Sequence, residues 1–314
     1  MGSRSFLSKL RDGDEIARLV TFLFAATVVL ITLLLVFELW TNSVLPRHKF
    51  GWHFFVAQAW DPVMDEYGAL PFMYGTVVSS ALALLIAVPL GLGAAIFLAE
   101  LAPARVSDSL QFFIDLLAAV PSVIYGLLGF FIIVPFVRSV LFPALNSSLG
   151  FLPLFKGPSY GVSYIAAGMV LAIMVIPYII SVSREVLLSV PRDQREAALA
   201  LGSTRWESTW KVVVPFAKTG IMGSVFLALA RALGETMAVT MVIGNTPKLA
   251  ASLFAPGYSI AAVIANEFTE ATGDLYLQAL IELGLVLFLL TFILNGLARL
   301  LIIVTTQKGS KVAN

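Results

Sequence analysis

The chain has 314 residues, 59% of them hydrophobic and only 12% charged, with a formal net charge of +1. A soluble globular domain carries about 25% charged residues, so the composition speaks against a water-soluble fold, and the near-neutral charge gives no support to a nucleic-acid partner. The absence of cysteine removes disulfides, thiolate metal sites and cysteine nucleophiles together.

Apolar runs of about 18 residues or more are long enough to cross a hydrocarbon core as helices. Read with their Gly, Pro and charge punctuation, they predict an all-α polytopic membrane protein with spans near residues 17–40, 72–98, 112–137, 161–188, 217–244 and 275–303. The first run follows Arg4, Lys9 and Arg11, is much longer than a signal-peptide core and lacks a small-residue cleavage pattern, which predicts a retained helix. Three parts are expected. Residues 1–70 hold the N-terminal segment, the first span and a loop, 71–307 a five-helix core with a loop at 189–215, and 308–314 a tail.

Alternate connections carry unequal charge. The N-terminus, 99–111, 184–218 and the C-terminus hold 14 Lys and Arg, whereas the other side has five, Arg47, Lys49, Arg138, Lys156 and Lys248. The positive-inside rule then predicts an inner-membrane protein with both termini cytoplasmic. Segments 41–71, 138–160 and 245–274 become the outer loops, where Trp40, Trp52 and Trp60 suit an interfacial belt. Glu38, Glu100, Asp115 and Glu282 are expected near helix ends, snorkelling to the interface. His48 and His53 lack carboxylates at ligand spacing, and no metal site is expected.

Pro121 and Gly126 interrupt the third predicted helix, and Pro177 lies inside the fourth. Prolines in membrane helices serve as static kinks or as hinges, and both readings stand here.

The longest cytoplasmic loop runs from Ser189 to Pro215. Pro191 suits a helix start, residues to Leu201 favour helix, and Gly202 sits where a left-handed cap would end it. Thr204 and Glu207 have capping-box spacing, predicting a second short helix that stops before Pro215. Ala197 and Ala198 leave the first helix slim enough for another protein's groove, while Glu196, Arg192 and Arg195 offer charges for register. The pattern Glu196-Ala-Ala, Gly202, Val212, Val214-Pro215 resembles the EAA loop of bacterial ABC importer permeases, with valines in place of the usual Ile and Leu. This resemblance implies a type I importer permease fold and ATPase coupling through Glu196, Ala197, Ala198, Gly202, Arg195 and Pro215. The chain has no Gly-rich phosphate loop followed by Lys-Ser/Thr, so it is not itself the ATPase.

Arg231 falls near the middle of the fifth predicted helix, where a guanidinium costs several kcal/mol unless it faces protein or water. Glu235 follows four residues later, on the same face if the helix is continuous, and Gly220, Ser224, Ala228 and Ala238 lie near the same stripe. A planar fork of donors suits a tetrahedral oxyanion, and a carboxylate beside it accepts a hydrogen bond from protonated phosphate but repels sulfate. A purely structural ion pair is the competing reading.

The segment Ala230-Arg-Ala-Leu-Gly-Glu-Thr-Met-Ala238, with Pro121-Ser-Val-Ile-Tyr-Gly126, resembles the phosphate permeases of the Pst system, the PstC type more than the PstA type. The resemblance implies phosphate import, a substrate path containing Arg231, Glu235, Ser224 and Thr236, and four kinds of partner: a homologous PstA-type permease, two PstB-type cytoplasmic ATPases, a PstS-type periplasmic phosphate-binding protein and membrane lipid. No cofactor is implied on this chain, ATP and magnesium belonging to the partner ATPase. A permease for sulfate or molybdate, a secondary transporter or channel, and a signalling scaffold are the alternatives.

Overall fold

The computed structural model describes residues 14–158 and 160–310, with side chains over 15–158 and 160–300. Arg4, Lys9, Arg11 and residues 311–314, all part of the charge and tail expectations, lie outside the described residues. In chain order the elements are α1 (Asp14–Thr41), short helices α2 (Val44–Phe50) and α3 (His53–Val56), a hairpin of β1 (Trp60–Asp61) and β2 (Glu66–Tyr67), then α4 (Leu70–Leu101) and α5 (Ala104–Ala118). They continue with α6 (Ser122–Leu149), α7 (Tyr164–Leu188), α8 (Arg192–Ala200), α9 (Arg205–Gly234), α10 (Met237–Ile243), α11 (Ile260–Glu267) and α12 (Asp274–Ser310). Helices α1, α4, α6, α7, α9 and α12 are long and apolar enough to cross a membrane.

Two of the expected spans are displaced. The third is α6, at 122–149 rather than 112–137, because Pro121 lacks an N–H and disfavours helix in the residue before it, so α5 ends at Ala118 and the chain restarts beyond the proline. Arg138 therefore lies on a helix instead of in a loop. The fifth is α9, at 205–234 rather than 217–244. Helix runs straight through Pro215 and breaks at Glu235 and Thr236.

Passage through Pro135, Pro143 and Pro215 has a local cause, whereas Pro103, although a π turn also precedes it, separates α4 from α5. Wide π turns occupy Phe97–Leu101, Gly129–Ile133, Val137–Leu141 and Thr209–Val213, and each ends two residues before a proline, Pro103, Pro135, Pro143 or Pro215. A proline ring clashes with the carbonyl four residues back, and an inserted residue moves that carbonyl away. In each case the N–H just before the proline bonds to the carbonyl five back, as from Val214 to Thr209. Pro89 and Pro177 sit in ordinary α-helix.

Helices α4 and α7 form the centre of the bundle. Ala83, Ala87 and Ala95 on one, and Ala166, Ala167 and Ala172 on the other, are fully buried. Lipid tails are as apolar as leucine, so helices associate in a bilayer where small side chains let backbones approach. Helix α1 instead exposes Phe22, Leu23, Phe24 and most of its other large apolar residues, and packs along α12. A second core joins Phe54, Tyr67, Phe72 and Tyr258 to α11 and α12. A third, at the opposite end of the bundle, binds Leu98, Leu187 and Val213 of α4, α7 and α9.

One expectation about interfacial residues is corrected here, that for Glu282. Trp60 packs edge-on against Tyr67 and Phe72, at 5.0 and 4.8 Å between ring centroids, and donates its indole N–H to Glu267 Oε2 at 2.8 Å, so it anchors the hairpin. Glu282 is buried well inside α12, 3.7 Å from Arg47 Nε, instead of snorkelling at a helix end. Tyr276 OH donates to the same Glu267 oxygen at 2.7 Å. Burial, helped by Asp65, pushes the Tyr67 phenol up to about 12, so this aromatic group stays uncharged at neutral pH.

Glu267→Ala should strand the Trp60 and Tyr276 donors. A loss of about 1–3 kcal/mol is expected, read as a lowered thermal midpoint in detergent with the hairpin exchanging amide protons faster.

Candidate functional site

Two regions hold the residues singled out from the sequence: the loop from Ser189 to Pro215 and the break after α9. In the loop, Pro191 precedes α8 and Gly202 takes φ +86°, the left-handed conformation that ends the helix cheaply only with glycine. Thr204 and Glu207 form the reciprocal capping box, the Thr204 Oγ1 accepting from Glu207 N at 3.2 Å and Glu207 Oε2 from Thr204 N at 3.0 Å. The second helix does not stop before Pro215. It passes through the π turn at Thr209–Val213 into the membrane-spanning part of α9, so loop and span are one rod.

Glu196 and Ala197 are exposed on α8, and Ala198 is packed inward. Arg195 turns into the protein: Nη2 lies 2.8 Å from Glu100 Oε1 and donates to Leu187 O at 2.7 Å, while Nη1 donates to Val190 O. That single side chain clasps α8 to the ends of α4 and α7. Its charge is met within the chain, whereas the sequence reading gave it to a partner. Glu100 is the missed half of this clasp, since nothing in its own sequence neighbourhood marks a partner 95 positions away. Leu201 is 90% exposed, and exposed Trp206 and Trp210 pack edge-on, 5.6 Å between ring centroids. A soluble surface rarely leaves such apolar bulk uncovered.

At the break, Arg231 lies in the last turn of α9, where the negative end of the helix dipole favours a cation. Glu235 is extended, at φ −71° and ψ 126°, and Thr236 precedes α10. The expected same-face pair of Arg231 and Glu235 is therefore not formed, because the helix that would have aligned them ends at Gly234. Glu235 Oε1 instead accepts from Ala238 N at 3.3 Å, capping the restarted helix. Among the described residues, no carboxylate oxygen comes within the 4.0 Å of a salt bridge to Arg231, and its buried Nε has no hydrogen-bond partner. Its guanidinium lies over the Tyr178 ring, 4.3 Å from Cζ to centroid. Thr236 O accepts from Thr240 Oγ1 at 2.8 Å. Ser224 is completely buried, in a 2.7 Å hydrogen bond with Ser183 Oγ of α7, and lines helix packing rather than an open surface.

Among the possible hinge residues, Pro121 begins α6 and Pro177 sits within α7 beside Tyr178. Gly126 is a contact: a Cβ there would stand 2.6 Å from Met241 Sδ and 3.1 Å from Ala238 Cα of α10. Met237 to Ile243 thus restart the broken span directly against α6.

The all-α bundle has the fold of type I ABC importer permeases. It overlays a bacterial alginate ABC transporter, solved in complex with an alginate pentasaccharide-bound periplasmic protein, at TM-score 0.60 and 14% identity, over 94% of this chain and 98% of that one. It also overlays an inward-facing MetNI methionine ABC transporter at TM-score 0.53 and 16% identity, covering 77% and 98%. Residues 87–302 match the family model described as binding-protein-dependent transport system inner membrane component, and the chain belongs to that family as a multi-pass inner-membrane transport protein. Its relatives include phosphate transport system permease proteins PstC. That of Mesorhizobium japonicum is 46% identical over 88% of this chain and 86% of its own length, and that of Xylella fastidiosa strain Temecula1 is 48% identical over 82% and 81%. A probable PstC of Methanocaldococcus jannaschii is 37% identical over 91% and 92%.

Two variants probe these arrangements. Glu100→Ala should free Arg195 and raise amide exchange across residues 192–200 at least about fivefold, the loss of a partly buried charged hydrogen bond of ~1–3 kcal/mol. Gly126→Ala should push α6 from α10 and cost about 1–3 kcal/mol in thermal unfolding, as overpacking does. A pure hinge role for Gly126 would instead leave stability unchanged.

Proposed function

We propose that this chain is the membrane-spanning permease subunit of an ATP-driven importer of inorganic phosphate. The observation that carries the substrate is Arg231, half-buried at a helix break, with a buried Nε that has no hydrogen-bond partner and without a carboxylate partner among the described residues. A permanently charged fork in that state is available to a tetrahedral oxyanion, and a broken helix in mid-span is where transporters place such contacts. The names of the PstC relatives support phosphate over sulfate or molybdate, and the family speaks against a secondary transporter or channel. Glu235 and Thr236, at the other lip of the break, supply acceptor groups for a protonated oxyanion.

The chain works with other subunits. A homologous PstA-type permease completes the path, a PstS-type binding protein delivers phosphate, and two PstB-type ATPases hold ATP and magnesium on the cytoplasmic side. Charge asymmetry places both termini and the 189–215 loop on that side. Glu196, Ala197, Leu201 and Trp206 form the face an ATPase would grip, with Gly202 shaping its corner, and Arg195 and Pro215 link that face to the spans. ATP-driven closure then biases the bundle between two arrangements, and no covalent chemistry occurs on this chain.

Uptake by proteoliposomes holding the complete transporter tests the substrate path. Arg231→Leu is expected to lower phosphate uptake at least about tenfold, the scale of a lost charge-assisted contact of ~1.5–3 kcal/mol. Glu235→Gln retains a capping oxygen but removes the charge, and should narrow the preference for phosphate over sulfate. Unchanged uptake in the first variant, with unchanged preference in the second, refutes the proposed path.

A further inference from the structure

Arg231 is held by a ring rather than by a counter-ion. Its Cζ stands 4.3 Å from the centroid of Tyr178, within the range of a cation–π contact, which strengthens when both groups are desolvated. The ring is itself fixed at its far end. Tyr178 OH donates to Ala118 O at 2.9 Å, the last residue of α5, whose carbonyl has no helical partner because Pro121 ends the run. Tyr125 OH donates to Leu117 O at 2.7 Å, a carbonyl that also accepts from Val120 N at 3.1 Å. The Tyr178 hydroxyl thus supplies the partner that the ended helix does not. The two breaks of the bundle, after α5 and after α9, therefore meet at one side chain of α7.

This arrangement matters for a cation that has to bind and release an anion. A carboxylate at Arg231 would neutralise it and compete with the substrate. A ring has no net charge: it orients the guanidinium through its quadrupole and leaves the N–H donors free. We propose that Tyr178 is a positioning residue for phosphate passage, its ring face holding the Arg231 guanidinium at the helix break while its hydroxyl pins that ring to the end of α5. The proposal rests on the reading of Arg231 as the phosphate contact.

The test uses the complete transporter in proteoliposomes, with phosphate-loaded binding protein titrated from outside. Tyr178→Phe keeps the ring and is expected to retain uptake within about threefold. Tyr178→Leu removes it and should lower the saturating rate roughly 5- to 30-fold, with the half-saturating concentration of loaded binding protein unchanged. Phenylalanine carrying one, two or three ring fluorines at position 178 keeps the shape while draining the ring's negative face, and the logarithm of the uptake rate should fall stepwise with each fluorine. A flat fluorine series overturns the proposal, as does wild-type uptake by Tyr178→Leu. Should the leucine variant fail to assemble, the near-isosteric fluorine series decides alone. Arg231→Leu in the same assay separates the two readings. Normal uptake there removes the Arg231 path itself, while lost uptake beside a flat fluorine series removes only the role of Tyr178.

Discussion

A helix that breaks inside a bilayer must have its freed backbone groups met by protein, and that constraint organises this structure. At the end of α5 the Ala118 carbonyl is taken by the hydroxyl of Tyr178, and the Leu117 carbonyl by that of Tyr125 together with the Val120 N–H. After α9 the Glu235 carboxylate takes the Ala238 N–H. Each device brings a polar side chain to a helix end, and Tyr178 joins the end of α5 to Arg231. The site is thus a consequence of how the breaks are closed.

The same economy governs the prolines. An irregular backbone costs little in membrane helices when a wide turn separates the ring from the carbonyl behind it, and π turns do this before Pro135, Pro143 and Pro215, where the helix continues. Pro103 and Pro121 instead stand at helix ends.

The sequence made much of this legible, because the strongest signals were length and local chemistry. Six apolar runs, the Gly202 cap and the Thr204–Glu207 capping box are written within a few residues, and the structure has them all. What it hid was long-range or depended on continuity. Arg231 and Glu235 look like a pair only if the helix continues, and no local residue announces that it ends at Gly234. Treating Pro215 as a stop failed for the opposite reason, since the π turn that spares it leaves no signature beyond the proline itself. Arg195 looked like a partner contact because its mate, Glu100, lies in another span. Ser224 looked like a pathway residue because small polar groups line paths and helix contacts alike.

Helix α9 gives the molecule a mechanical property. From Trp206 on the outer face of the loop to Arg231 at the break, the chain is one unbroken rod of 25 steps, about 37 Å at 1.5 Å each. A stiff strut of that length has no slack to absorb movement between its ends. Movement at its foot reaches the guanidinium along this backbone, and the wide turn at Thr209–Val213, just before Pro215, is a place where the direction of thrust can change.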